Sequence, residues 1–420
     1  MKKTLAILLV LAMAFSLLAG CGSKGGESAP VSGDSAPESE NSGYVSPSDV
    51  QPRPDGKAQP SSDNGTTEKD TDTEPAQPET RVIVDEAGNE VEIPKEINRV
   101  AITSVTPLPA LFALFMGSAE KLVGIHPASK NTAMHSIVAE LVPDIADVPT
   151  SFYEGSEINA EELIKLEPDV VFYFAGKEQE KELIEKAGIP AVAFDPFYDG
   201  NTGGDGNSIV KVTLEWTKFL SEIFDMPDRS AQFESFKNEI ETLVAERIAD
   251  VPEAERPRSL IIANYNDSAL VAGGTQSADY WIRYSGGINV GFELGNSTAP
   301  VNMEQIYEWD PDIIFLNSFS AFKADDILNS TAAEGHDWSG LRAVQEGRVY
   351  KIPLGTFYWF ATTYDSPLMM LWMAMKQLPD QFADIDFDQM VRDHYKNTYG
   401  IDLTDEQLAR IYDPVPESHM

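Results

Sequence analysis

One pattern occurs twice in this chain without a gap. Asn159-Ala-Glu-Glu-Leu-Ile-Lys-Leu-Glu-Pro168-Asp169-Val-Val-Phe172 can be laid on Asn302-Met-Glu-Gln-Ile-Tyr-Glu-Trp-Asp-Pro311-Asp312-Ile-Ile-Phe315, 143 positions further on. In each copy a short helical run is stopped by a proline, and an aspartate leads into an apolar strand. Copies this far apart are too widely spaced for a solenoid, so they mark equivalent places in two domains. The chain must therefore fold as two versions of one αβ unit.

The flanking sequence has the same grammar. Arg81–Val84 and Val91–Ile93 around Gly88 alternate like a small hairpin. Arg99–Thr103 reads as a first parallel strand, Leu108–Met116 as the helix after it, and Leu122–Ile125 as the next strand. Ala160–Leu166 then reads as a helix, Asp169–Phe174 as a buried strand, Gln179–Ala187 as a helix and Pro190–Phe194 as a strand. The second half begins its sheet at Arg258–Ala263, has a helix at Ser277–Tyr284 ended by Gly286-Gly287, and a late edge strand at Arg348–Ile352. Leu368–Leu378 and Phe387–Tyr399 are closing helices. Strands alternating with helices imply parallel sheets covered on both faces.

Between the halves, Ile209–Phe224 is amphipathic, and the stretch from Asp228 to Asp250 carries Phe233, Phe236, Ile240, Leu243, Val244 and Ile248 at three- and four-residue steps. Pro252 closes it, and at 1.5 Å per residue it spans about 35 Å, the width of a small domain. The expected fold is α/β: two Rossmann-like lobes with parallel-rich sheets, joined by a single long backbone helix, with a ligand cleft between them. The expected division is a signal peptide over 1–20, a tether over 21–79, a first lobe over 80–208, linking helices over 209–252 with the backbone helix at 228–250, and a second lobe over 253–414.

The start of the chain speaks to location. Lys2 and Lys3 precede an apolar run from Leu5 to Leu18, which reads as a signal peptide. Leu18-Ala19-Gly20-Cys21 resembles the lipobox of bacterial lipoproteins, in which the cysteine is lipidated and becomes the mature N-terminus. Cys21 is the only cysteine, so an intrachain disulfide and a thiol nucleophile in the folded part are both excluded. Residues 22 to about 79 are rich in Ser, Pro, Gly, Asp and Glu and read as a disordered tether. The roughly 330 residues beyond it suffice for two domains with real cores. A formal charge of -37, from 68 acidic and 31 basic side chains, repels phosphate backbones and argues against a nucleic-acid partner.

The order of these pieces resembles the substrate-binding proteins of ABC importers that handle iron siderophores, haem, cobalamin and related metal chelates, the cluster with one helical backbone between lobes. Arg99-Val100-Ala101-Ile102 with Pro107, Gly117 and Leu122-Val123-Gly124 resembles the family's opening, and Gly155 to Phe172 its helix leading into a Pro-Asp-hydrophobic strand. Gly286-Gly287-Ile288-Asn289 is similar to its Gly-Gly-x-Asn, and Trp338 to Tyr350 resembles its approach to the last strand. His394 stands where family members often carry an aromatic residue, and Tyr395 to Gly400 resembles the end of several of them. The resemblance implies a monomeric lipoprotein without intrinsic cofactor or catalytic turnover. Held by Cys21 on the outer face of the cytoplasmic membrane of a Gram-positive type bacterium, it captures a metal chelate and docks on a permease dimer with a cytoplasmic ATPase. It also implies one exposed acid per lobe for docking. Leu111 occupies the first-lobe position near Pro107, with Glu120 nearby as substitute; Asp279 is the second-lobe candidate.

Ligands of parallel sheets sit beyond the carboxyl ends of the strands. That rule selects Thr103–Thr106, Ser151–Gly155, Phe174–Lys177 and Asp195–Tyr198 in the first lobe, and Asn264–Asn266, Asn317–Phe319 and Thr356–Phe360 with Tyr364 in the second. Aromatic side chains there suit a flat or chelated ligand. The expected ligand-binding set is Tyr153, Lys177, Tyr265, Ser318, Phe319, Tyr358, Trp359 and Tyr364, with Tyr358 and Trp359 foremost. Lys177 and Arg283 suit an anionic ligand group, and His126 and His135 are the histidines placed to reach a metal. No spacing supplies three or four metal ligands, which argues against a bare zinc or manganese receptor. An oxyanion such as molybdate or tungstate, held by Ser104, Thr106, Ser151 and Ser318, is the alternative. The rival classes are a surface sensor or adhesin and a sheet-crevice enzyme; the enzyme lacks a Gly-x-Ser-x-Gly elbow, a P-loop or a dinucleotide fingerprint.

Overall fold

A computed structural model describes residues 79–196, 209–267, 269–274, 277–295, 298–318, 320–415 and 417. The signal peptide, Cys21, Phe197, Tyr198 and Phe319 lie outside these.

After an antiparallel hairpin (Thr80–Val84 with Glu90–Pro94), the first sheet is wholly parallel. Its spatial order is Leu122–Ile125, Val100–Ile102, Val170–Phe174, Ala191–Phe194. The second sheet repeats that order with Ile288–Asn289, Arg258–Asn266, Ile313–Leu316 and Val349–Lys351, again parallel. In chain order both run second, first, third, fourth.

The repeated motif occupies the same place in each. Asn159 and Asn302 cap the two helices, their Oδ1 atoms accepting from Glu161 and Gln305 backbone N–H at 3.0 and 2.9 Å. Glu167 and Asp310 both take left-handed φ, 44° and 38°, just before the prolines. The following aspartates then fix the neighbouring strand: Asp169 Oδ2 accepts from Arg99 N at 2.8 Å, and Asp312 Oδ2 from Arg258 N at 2.8 Å. Pro168 and Pro311 thus precede equivalent strands of two separate sheets.

The second sheet is less purely parallel than its sequence suggests. Arg258–Asn266 is nine residues long, and its outer half pairs antiparallel with Ala269–Gly273, which pairs in turn with Thr298–Pro300. A strand longer than its parallel neighbours leaves backbone groups that need partners, and this ribbon supplies them.

The backbone helix runs Ser230–Ile248, two residues shorter at each end than the expected 228–250. Asp228 stands outside it, its Oδ1 accepting the Ser230 N–H at 2.8 Å. Phe233, Ile240, Val244 and Ile248 are buried, and the helix packs on Ile209–Ile223 and on Ser366–Gln377. The largest apolar core runs from the first sheet through these helices to the C-terminal segments, with smaller cores beneath the second sheet (Leu260, Ile314, Trp338) and on the outer face of the first (Phe152, Leu163, Val171). A further helix, Asp405–Tyr412, closes the chain. Among the described residues no helix is long and apolar enough to cross a membrane.

Candidate functional site

The carboxyl ends of the two sheets are brought together by segments that leave their outermost strands. Helices Pro127–His135 and Val138–Leu141 follow the strand Leu122–Ile125, and the loop from 352 to 364 follows Val349–Lys351. Across the lobes, the Ile137 N–H donates to the Gly355 carbonyl at 3.1 Å, and the hydroxyls of Thr132 and Tyr358 lie 3.1 Å apart. The C-terminal segment adds Glu140 with Gln407 at 2.5 Å, Glu140 with Arg410, and Asn131 Nδ2 donating to the Glu417 carbonyl at 2.8 Å.

Beside this junction the first lobe gathers an ionisable wall. Thr103 and Ser104 leave the strand Val100–Ile102, His126 leaves Leu122–Ile125, Tyr153 sits in the small hairpin Tyr153–Glu154/Glu157–Ile158, and Glu180 lies in the first turn of helix Glu178–Lys186. Glu180 Oε2 accepts from Thr103 Oγ1 at 2.9 Å and from Ser104 Oγ at 2.7 Å. The His126 and Tyr153 rings meet edge to face, 4.5 Å between centroids. His126 Nδ1 accepts the Ala128 N–H at 3.1 Å, so the neutral ring carries its proton on Nε2 and offers a donor. Burial lowers the pKa of His126, with Glu180 opposing and Lys177 assisting, which favours that neutral form. Burial, then Glu180, pushes the Tyr153 phenol well up, so it stays protonated. Its hydroxyl is buried and has no hydrogen-bond partner among the described residues. On the second-lobe side, Asn264 and Asn266 end the long strand; Asn317 Oδ1 and Ser320 Oγ, after Ile313–Leu316, are likewise buried and unpartnered among the described residues.

The expected site residues divide. Tyr153, Lys177, Ser104, Thr106 and Ser151 stand at the first lobe's carboxyl edge, Lys177 and Ser151 exposed. Tyr265 does not face the cleft: side chains alternate along a strand, and it points away from the Asn264/Asn266 face into the second core, its hydroxyl 2.7 Å from His336 Nδ1. Ser318 spends its hydroxyl on the Ile352 carbonyl at 2.5 Å and is 1% exposed. Tyr358 and Trp359, the leading candidates, are both fully buried, Tyr358 on Thr132 and Trp359 against Phe387 and Tyr412. Tyr364 lies behind the cleft, receiving the Thr217 hydroxyl at 3.1 Å and lining, with Phe233 and His394, a cavity of about 640 Å³ beside the backbone helix.

The aromatic loop goes inside because its backbone is satisfied there. Asp365, fully buried, accepts from Thr356 N and Tyr395 and Tyr399 hydroxyls, each at 2.7 Å, from Thr356 Oγ1 at 2.9 Å, and pairs with His394 Nε2 at 2.9 Å. His135 Nδ1 lies 2.9 Å from the Asn131 carbonyl. Asp279, expected on an exposed docking face, is 4% exposed and paired with Arg283 at 3.2 Å, so that role falls away; Glu120 is exposed. Glu180 escaped the sequence reading. The signal available was an acid in the first turn of a helix that follows a strand's carboxyl end.

Two matching sheets with their carboxyl ends opposed, a stiff helix behind them and a polar wall between them define a two-lobed solute-binding protein. Sequence comparison agrees. The profile of the family described as periplasmic binding protein matches residues 100–354. The chain belongs to that family, whose members are extracytoplasmic proteins that bind solutes for ABC importers. Among curated proteins it is similar to the molybdate-binding protein MolA of Haemophilus influenzae, 24% identical over 346 residues, covering 79% of this chain and 94% of MolA. Among solved structures it is similar to a periplasmic solute binding protein of Veillonella parvula DSM 2008, with TM-score 0.66, 31% identity, and coverage of 80% of this chain and 97% of that one. It shares its fold with the Ni(II)-bound CeuE of Helicobacter pylori at TM-score 0.60 and 21% identity, over 79% of this chain and 99% of CeuE.

Proposed function

We propose that this protein captures a metal chelate, of ferric siderophore, haem or cobalamin type, between the carboxyl ends of its two sheets and hands it to an ABC permease dimer with a cytoplasmic ATPase. It acts as a monomer, without turnover, and is held to the outer face of the membrane through a lipidated Cys21. The observation that carries the chelate reading is the Tyr153 hydroxyl, buried and unpartnered at the first lobe's carboxyl edge beside the His126 ring. A buried hydroxyl left unpaired costs about 1–3 kcal/mol, which a ligand's oxygen or nitrogen atoms recover. Beside it stand a second donor, the His126 Nε2–H, and an acceptor, the Glu180 carboxylate: groups that grip the organic periphery of a chelate. Among the described residues no three His, Cys, Asp or Glu side chains converge to hold a bare ion.

Calorimetric titration of the full chain with ferric siderophores, haemin, cobalamin, molybdate and tungstate tests this. Submicromolar binding of at least one chelate is expected, weakened about three- to tenfold by Tyr153→Phe, the worth of one hydrogen bond. Submicromolar oxyanion binding with no chelate binding would overturn the reading.

A further inference from the structure

We propose that Glu180 decides the charge of the ligand: its carboxylate fills the hydroxyl pocket of Thr103 and Ser104 and so closes this edge of the cleft to oxyanions. The inference rests on the reading that the cleft is the binding site, and it concerns what that site refuses.

Two hydroxyls converging beyond a strand's carboxyl end can both donate to an oxyanion, and Ser104 belongs to the hydroxyl set expected to serve one. Both hydroxyls are engaged. Thr103 is fully buried, and its hydroxyl has two acceptors in reach, Glu180 Oε2 at 2.9 Å and the Phe172 carbonyl at 3.2 Å, of which the carboxylate is the nearer; the Ser104 hydroxyl donates to the same Glu180 oxygen at 2.7 Å. A carboxylate is itself an oxyanion, so the pocket is occupied by a ligand tethered to the protein. The tether is short: Glu180 is in the first turn of Glu178–Lys186, which directly follows the strand Val170–Phe174 and its turn, so its backbone stays beside the two hydroxyls. An arriving tetrahedral oxyanion would have to displace it and then lie beside a like charge in a partly buried site, where screening is weak. Lys177, three residues earlier, is exposed.

The same carboxylate is an acceptor for a chelate with N–H or O–H groups on its periphery, or with a net positive charge. Glu180 thus separates two ligand classes on one scaffold. With its charge removed, the edge keeps its donors, the Thr103 and Ser104 hydroxyls, the His126 Nε2–H and the Lys177 ammonium, and no longer carries an anion.

The test is calorimetry of the full chain with sodium molybdate and sodium tungstate, comparing the unmodified protein with Glu180→Gln, which keeps the side-chain shape, and Glu180→Ala, which empties the pocket. Thermal unfolding establishes that each variant is folded, and either variant alone suffices. At least tenfold tighter oxyanion binding in a variant is expected, and adding Ser104→Ala should abolish the gain. Three results would overturn the proposal: unmodified protein that binds molybdate as tightly as the variants, variants that gain no oxyanion binding, or a gain that survives Ser104→Ala. Chelate binding is read in separate titrations. Its absence from the unmodified protein would sink the chelate reading and leave the oxyanion result to judge Glu180.

Discussion

At the residue scale, the most heavily engaged group is the Asp365 carboxylate. Four hydrogen-bond donors and His394 converge on it, and Gly355 is a glycine because any Cβ there would lie 2.2 Å from Asp365 Oδ2. Replacing Asp365 by alanine takes the buried acceptor away from Thr356 N, the Tyr395 hydroxyl and His394 Nε2, and should cost about 3–5 kcal/mol in urea unfolding. Gly355→Ala should also destabilise, since the atoms that Cβ would meet belong to Asp365, Tyr395 and Trp359, all buried, and cannot all give way. Glu86 carries a pH signature. Burial foremost, with the charges of Asp195 and Glu215, pushes its carboxyl up to about 8, against the lowering effect of the Asp195 and Trp216 N–H donors. The folded value lies above the ordinary 4.5, so the folded chain holds an extra proton between about pH 4.5 and 8. Its contribution to stability is whole below 4.5 and is lost as pH rises through 8. Glu86→Gln should flatten the fall in thermal stability over that window and change little at pH 4. This scale is also where sequence reading failed. Tyr358 and Trp359 lie outside regular helices and strands, and nothing in their neighbours' identity announces that a distant aspartate and two tyrosines of the helix Phe387–Tyr399 satisfy the loop from inside.

At the scale of elements, much was legible. Helices such as Leu108–Met116 and Phe387–Tyr399 and the strand Leu122–Ile125 have the limits their patterns suggest, because apolar period, glycine and proline all agree there. The antiparallel ribbon of Ala269–Gly273 and Thr298–Pro300 was not legible: three- to five-residue strands carry too little alternation, and their pairing is set by how far Arg258–Asn266 overruns its neighbours. The closing helix Asp405–Tyr412 did carry a signal, the capping box of Thr404 and Gln407, whose backbone and side chains exchange hydrogen bonds at 2.8 and 3.2 Å. The backbone helix makes a direct stability test. Ile240 is fully buried near its middle, against the core shared with Ser366–Gln377, so Ile240→Ala should cost about 2–5 kcal/mol by denaturant unfolding. A change at the exposed Glu239 beside it should cost less than about 0.5 kcal/mol.

At the scale of the molecule, the repeat that opened the sequence reading is a symmetry of the fold, with Pro168 and Pro311 at matching strand starts and two sheets of the same order. What the repeat could not reveal is how the halves are fastened. The fasteners, among them Ile137 to Gly355, Thr132 to Tyr358 and Glu140 to Arg410, join segments outside the repeated motif. The Glu140–Arg410 pair is about two-fifths exposed on both sides, so its loss alone should cost under about 1 kcal/mol. The central claim is that a chelate lodges between the two carboxyl edges and touches both lobes at once. Hydrogen exchange of the full chain, measured by mass spectrometry with and without a saturating chelate, tests it most directly. Slowed exchange is predicted together at Thr103–Thr106, Tyr153 and Lys177–Glu180 in one lobe and at Asn264–Asn266 and Asn317–Ser318 in the other. Protection confined to one lobe, or centred on the cavity beside His394 behind the backbone helix, would contradict it.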